Sequence, residues 1–435
     1  MLARMPDAVY RESDAHEEAG FCAIDFYGNG HALCPKLFST SAGTLVHDLR
    51  GGADAGQVES FEREICPRGH VVARETADVP VSFKMSVNTR ESSATFANAS
   101  LIYYHFSRYF NASVHVPAAV LRTMDRTTHH DRVAASGARE SAGSPALHMN
   151  HAAWQTLAQA ELQLESYTPA DELFTADSRA VYGVMLHPRG RQYGEAFNGS
   201  RRSGWGDGQN RDFQETPPFV ALQSSQPLAG AIEEGLRRGH AASAVPAAAR
   251  KAQMVFWMRD LIDITLLDYL FSQQDRIGNI DYLNYLNYWC WAEGGQVRRM
   301  PAQCPHPPDD LASFGPNLVK RTELGDNDAG VRLGYLNYTK RTAMLELFRH
   351  YNAATYARLV ALDRDFAVNG PLWSQTRAGF GLSDAEFQPL TTNVHAAAAI
   401  LRSNCLSGRL RFGLEPEAFL RDGSISERTL DCEKP

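Results

Sequence analysis

Four side chains in two short stretches could do chemistry together. Asp275 and Asn279 stand four residues apart in QQDRIGNI, and Asp326 and Asp328 follow in LGDNDAG. Each stretch trails an apolar run, so each is delivered from a rigid support. Two acid-bearing loops at the ends of core elements suit a hard cation. Mg2+ takes oxygen ligands, commonly one or two carboxylates completed by phosphate oxygens and water. Phosphoryl transfer uses such parts. One carboxylate orients the attacking hydroxyl and accepts its proton, an Asn and another Asp hold metal on the phosphates, and a strand lysine pairs with the phosphates. Lys84, in VSFKMSV, suits that last role. It stands out because only six of the 43 basic residues are lysine, which leaves 37 arginines.

The elements that must position these residues are legible in outline. Residues 252–272 are apolar on nearly every face, as in a helix at the centre of a lobe. The segment 318–331 reads as strand then turn. Ahead of them, 79–87 and 115–125 read as strands and 92–110 as a helix. Residues 1–76 read as irregular structure with short strands. A helix is expected near 151–166, a long ordered loop over 187–230, a linker at 241–251, a hairpin at 289–300 and a Pro-rich loop at 301–310. The pattern from 339 onward is mostly helical, including 343–366 and 391–406. A strand-rich first third before a helix-rich remainder predicts α+β with two lobes.

QQDRIGNI resembles the D-R-x-x-N catalytic loop of atypical kinases, as found in HipA-like, CotH-type spore-coat and phosphatidylinositol kinases. LGDNDAGV resembles the metal-binding D-N-G-x-G-F motif of the secretory-pathway kinases, the Golgi casein kinase and proteoglycan xylosylkinase family. LIDITLLDYLFSQQDR is similar to the segment before that family's catalytic loop. The resemblance covers 254–345 and, more weakly, 79–125, and 391–406 matches the closing helices faintly.

It implies a two-lobed protein-kinase-like fold, with an extension at 1–20, a small lobe at 21–135 and a helical lobe at 136–435 carrying insertions near 187–230 and 300–317. ATP and Mg2+ (or Mn2+) would lie in the cleft of such a fold. Asp275 would be the catalytic base, Asn279 a metal ligand, and Asp326 the metal aspartate with Asp328 as rival. Lys84 would pair with the nucleotide phosphates, with Glu91 as its candidate acidic partner and Glu59, Glu62 or Glu64 as alternatives. The γ-phosphoryl group would pass to a hydroxyl of a protein, a sugar or a small molecule.

The chain departs from the pattern in three places. Fifty-one residues separate Asp275 from Asp326. Asp328 stands where D-N-G has glycine. Glu91 is the only acid between 84 and 122, and no good glycine loop precedes Lys84, GGADAG at 51–56 being the nearest. A pseudokinase or partner-binding module, and an AMP transferase on the same fold, are the rival readings.

Bland readings stand beside each site. D-R-x-x-N is also what a helix C-terminal loop with a capping Asn and a surface ion pair looks like. His148-Met149-Asn150-His151 and His129-His130-Asp131 are possible metal ligands or merely polar helix starts. Tyr282, Tyr285, Tyr288, Trp289 and Trp291 would stack on a base or sugar, or pack a hairpin. The arginines of 187–230, Arg201 among them, would meet an anionic substrate or serve a structural loop.

Net charge is −7 and no long basic stripe occurs, which argues against nucleic acid. No apolar run of membrane-spanning length is present. MLARMPDAVYRESDAHEEAG lacks the apolar core of a signal peptide. Seven cysteines form no C-x-x-C pair. They group by proximity as Cys34–Cys66, Cys290–Cys304 and Cys405–Cys432, with Cys22 left over. Paired, they would place the chain in an oxidising, extracytoplasmic compartment. The alternative is seven buried thiols.

Overall fold

The computed structural model describes residues 4–71, 80–89, 91–92, 94–187, 190–238, 250–282, 287–291, 297–300, 318–416, 418–419 and 427–435. The chain divides into two compact units. One comprises Tyr10–Tyr104 and Pro117–Pro188, the other Ala3–Val9, His105–Val116 and Arg189–Pro435. The first unit therefore takes in 136–188, past the boundary expected at 135. The class is α+β, with a strand-rich first unit and a larger helical second one.

The first unit is built on five antiparallel strands: β1 (His31–Pro35), β2 (Thr44–Asp48), β3 (Val81–Lys84), β4 (Ala119–Asp125) and β5 (Ala180–Leu186), in the order β1-β2-β3-β5-β4. All four residues of β3 are buried, so both faces of the sheet are covered there. Phe83 fills its face because Gly183 on the neighbouring β5 has no side chain; a Cβ there would lie 2.3 Å from the ring. Cys34 on β1 is joined to Cys66 by a disulfide. Around it Ala32, Leu45, Leu49, Val58 and Phe61 form a small core.

His129 is fully buried. Its Nδ1 lies 2.6 Å from Glu161 and its Nε2 3.0 Å from Thr44, tying β2 to the helix His148–Leu162. It is a satisfied core histidine. His148 and His151 stand in the first turn of that same helix.

The second unit is organised around Arg250–Phe271, the expected apolar helix. Every residue from Ala252 to Phe271 is buried, four charged ones included. Burial of a charge is tolerated only with partners, and these have them. Asp260 accepts from Ser113 Oγ (2.5 Å) and Thr322 Oγ1 (2.7 Å). Asp263 accepts from Arg259 and from the Ser113 N–H. Asp268 is taken up by Arg276.

Two expectations are corrected here. The segment 187–230 is not a long loop but a run of short helices, Glu195–Asn198, Asp207–Phe213, Pro217–Gln223 and Leu228–Arg237. Gly199, Gly204 and Gly206 sit between the first two of these helices, and Phe213, Phe219 and Leu222 are buried. Nor is 343–366 one helix. The chain breaks after Leu347, and His350–Tyr351 pairs in parallel with Arg411–Phe412. A helix restarts at Ala353 behind the capping side chain of Asn352.

The expected hairpin is present as Asn287–Trp291 paired antiparallel with Val297–Met300. The expected linker lies almost wholly, and the expected insertion at 300–317 from residue 301 on, outside the described residues, as do Tyr285 and Cys304. The closing helix runs Asp384–Leu406, started by a Ser383–Glu386 capping box. Its Cys405 is joined to Cys432 by a second disulfide. Cys22 is free and exposed. Disulfides form and persist in oxidising compartments. Among the described residues, no helix is long and apolar enough to cross a membrane.

Candidate functional site

The central helix ends by a change of backbone hand. Ser272 takes a left-handed conformation (φ 52°), and the chain turns out into the loop 273–280. The Gln273 N–H still donates to the Asp268 carbonyl, and the Gln274 N–H donates to that of Ala329. Gly278, at φ 87°, permits the second bend. Asn279 then folds back, its Nδ2 donating to the Asp275 carbonyl at 2.7 Å. The four-residue spacing thus closes a compact turn that presents Asp275 and Asn279 together, both half-buried. The capping Asn of the bland reading is real, and it is what fixes the pair.

Beneath this turn, Arg276 is buried. Its Nε and Nη2 lie 2.9 and 3.0 Å from the two carboxylate oxygens of Asp268. The same guanidinium donates to the Gly325 carbonyl (3.1 Å) and to Asn327 Oδ1 (2.9 Å). It therefore clamps the 273–280 loop to the 324–330 loop. Gln273 adds a second bridge: its Oε1 accepts from the Asp275 N–H, and its Nε2 donates to the Asp326 carbonyl.

Held in this way, Asp326 is exposed at the tip of its loop in a left-handed conformation (φ 42°, ψ 47°). A non-glycine residue in that region is uncommon and sits most readily where surrounding bonds impose it. Asp328 lies in the short 3-10 turn that follows and is buried. The two acids thus face different surroundings.

Two site residues are not visible in the motifs. Asp281 opens the strand Asp281–Tyr282, which pairs with Arg191–Gln192 on one side and Thr322–Glu323 on the other. Its side chain packs against Gly190, where a Cβ would come within 2.4 Å of it, and near Gly325. Burial, then the charge of Asp326, push its carboxyl up to about 6, against a smaller opposing pull from Arg276. Its position, two residues beyond Asn279 at a strand start, is the signal that could have marked it.

The other is Arg201, whose Nη2 lies 3.2 Å from Asp275 Oδ1. Its guanidinium also donates to the Ile277 carbonyl. The arginines of 187–230 were expected to meet substrate or to be structural. This one touches the candidate base.

Lys84, in the first unit, ends β3 opposite Val184 and is buried. Glu91 lies in an exposed bend ahead of the helix Ala97–Tyr109. Among the described residues, no hydrogen bond or ion pair joins it to Lys84.

The candidate ligands in the second unit, Asn279, Asp281, Asp326 and Asp328, all offer oxygen. No group of three or more His, Cys, Asp or Glu forms a ready metal cage among the described residues. The charge of Asp326 that helps raise the Asp281 carboxyl is one that a cation would relieve.

No family model matches the chain, and no curated protein sequence matches it. Among solved structures, a crystal structure of the Golgi casein kinase with Mn/ADP bound aligns over 91% of this chain and 77% of its own. The sequence identity is 10% and the TM-score 0.46.

Proposed function

We propose that the protein is an ATP- and divalent-metal-dependent phosphotransferase with a kinase-like two-lobed architecture. One observation carries the reading. Arg276 and Gln273 join the D-R-x-x-N turn to the Asp326 loop, so that a candidate base and a candidate metal aspartate belong to one rigid constellation. A surface turn with a capping Asn would need no such clamp.

In the proposed reaction Asp275 accepts the proton of an acceptor hydroxyl, and the hydroxyl oxygen bonds to the γ-phosphorus. The bond from that phosphorus to the β–γ bridging oxygen breaks, and ADP leaves. Asn279 and Asp326, with Asp281 beside them, would hold Mg2+ or Mn2+. When bound, the cation neutralises charge on the β- and γ-phosphate oxygens. The exposure of Asp326 and the burial of Asp328 favour Asp326 as the ligand. In the first unit, Lys84 is the proposed phosphate-pairing lysine.

The acceptor is a hydroxyl of a protein, a sugar or a small molecule. Nucleic acid is not a proposed partner. The two disulfides support an extracytoplasmic or secretory setting.

The test is transfer of label from γ-labelled ATP with Mn2+ by the wild type and by Asp275→Asn. Transfer that disappears in the variant supports the base. Transfer that survives removes it. Label carried over from α-labelled ATP instead identifies nucleotidyl transfer. A nucleotide-binding module without catalysis is the second reading, and the lack of a good glycine loop before Lys84 in the sequence favours it. That reading is met if ATP with Mn2+ stabilises the protein while no label moves.

A further inference from the structure

We propose that Arg201 is the positioning residue of Asp275, setting the orientation in which that carboxylate accepts the acceptor's proton. This rests on the phosphotransferase reading and adds to it a residue that neither motif contains.

The geometry is specific. Asp275 is half-exposed on a turn, and a carboxylate there would rotate freely about its side chain. Arg201 takes its Oδ1 at 3.2 Å. Among the described residues nothing hydrogen-bonds to Oδ2, which is left for the acceptor. Arg201 cannot swing away without losing more, since its Nε and Nη2 lie 3.2 and 2.9 Å from the Ile277 carbonyl. The guanidinium lies over Gly278, in ordinary van der Waals range of where a Cβ would stand, 3.5 Å away.

The loop that carries Arg201 is itself fixed. Asp212 accepts from Ser200 Oγ, from the Ser203 N–H and from Ser203 Oγ at 3.2, 3.1 and 2.7 Å. The neighbouring Arg202 is taken up by Glu195, so the two arginines have separate partners. Further along the loop, Trp205 meets Tyr338 edge-on, and Arg341 pairs with Asp207.

Stability is not what this ion pair supplies. Both side chains are about half exposed, at 51% and 40%, and such pairs are worth about 0–1 kcal/mol. A planar fork anchored on a carbonyl and pointing at one carboxylate oxygen suits orientation. Small misplacements of a reacting group cost rate steeply. A plug that blocks Asp275 would use the same contact with the opposite consequence, so the sign of the effect decides between them.

The experiment uses the full chain with γ-labelled ATP and Mn2+. It follows label released to water and label fixed on the protein's own hydroxyls. Wild type, Arg201→Gln and Arg201→Lys are compared, with and without added guanidinium at low concentration. Stabilisation by ATP with Mn2+ is measured in parallel. Arg201→Gln is expected to lower kcat about a hundred-fold. KM for ATP and the nucleotide-dependent thermal shift stay at wild-type values. Arg201→Lys is expected to fall between, and guanidinium to restore part of the loss in Arg201→Gln alone.

A variant as fast as wild type, or faster, overturns the positioning role while leaving the phosphotransferase reading intact. A parallel fall in kcat and nucleotide stabilisation, without guanidinium rescue, also overturns it, because that is loss of structure. A wild type that moves no label overturns both.

Discussion

Arg276 and Asp268 form a buried bidentate ion pair, at 2.9 and 3.0 Å, between the loop that carries Asp275 and the last turn of the helix that delivers it. Both side chains are nearly inaccessible, at 4% and 3%. Two more of the guanidinium N–H groups are spent on the Asp326 loop. Breaking one partner of such a pair leaves a buried charge uncompensated, which costs about 3–5 kcal/mol. Arg276→Met is therefore expected to lower unfolding free energy by about that amount in urea. At temperatures where it remains folded, it should lose stabilisation by ATP with Mn2+. A variant with wild-type stability would show that the clamp does not hold the two loops.

The proposed metal ligands divide by exposure. Asp326→Ala removes an exposed side chain and should leave the melting temperature in plain buffer almost unchanged. It should abolish the extra stabilisation that ATP gives with Mn2+, which is about 2.7 kcal/mol for wild type at a hundred times Kd. Asp281→Asn should weaken that stabilisation without abolishing it. Persistence of the full shift in Asp326→Ala would move the metal elsewhere, with Asp328 the next candidate.

Asp260 makes stability depend on pH. Burial raises its carboxyl to about 7 in the fold, helped by Asp263 and opposed by the Ser113 and Thr322 hydroxyls and Arg259. The folded state thus holds a proton that the unfolded chain releases near its ordinary 3.8. The contribution is full below about pH 4 and is lost as pH rises through about 7. Asp260→Asn carries no such proton. The stability of wild type minus that of Asp260→Asn should fall by about 2–3 kcal/mol between pH 5 and pH 8. A difference that is flat over this range would mean that Asp260 is ionised throughout.

The disulfide from Cys405 to Cys432 closes a loop with a sequence separation of 27 and ties the tail to the closing helix. Disulfides of this span typically contribute about 2–4 kcal/mol. Cys405→Ala/Cys432→Ala should lower the melting temperature of the oxidised protein and leave that of the fully reduced protein nearly unchanged. Equal melting temperatures for oxidised wild type and variant would show that the bond adds nothing to the fold.

Local chemistry carried much of this through the sequence alone. The apolar faces of 252–272 dictate a buried helix, because no other placement removes so many apolar side chains from water. The D-x-x-x-N spacing dictates a turn in which an Asn side chain reaches a carbonyl four residues back. Proximity in sequence was enough to pair Cys34 with Cys66 and Cys405 with Cys432.

Other contacts join residues that are remote in sequence, and no local pattern encodes them. Arg201 lies 74 residues before the aspartate it touches, and Arg276 reaches Asn327 across 51. Asp281 matters because a three-stranded pairing and the space over Gly190 bring it beside Asp326. The helices of 187–230 were hidden by the glycines among and inside them, which read locally as loop. Hydrophobic periodicity and short-range hydrogen bonding decide the elements and the turn. Which charged side chains share a site is decided by packing, since burial obliges each charge to find whatever partner the assembled fold places within reach.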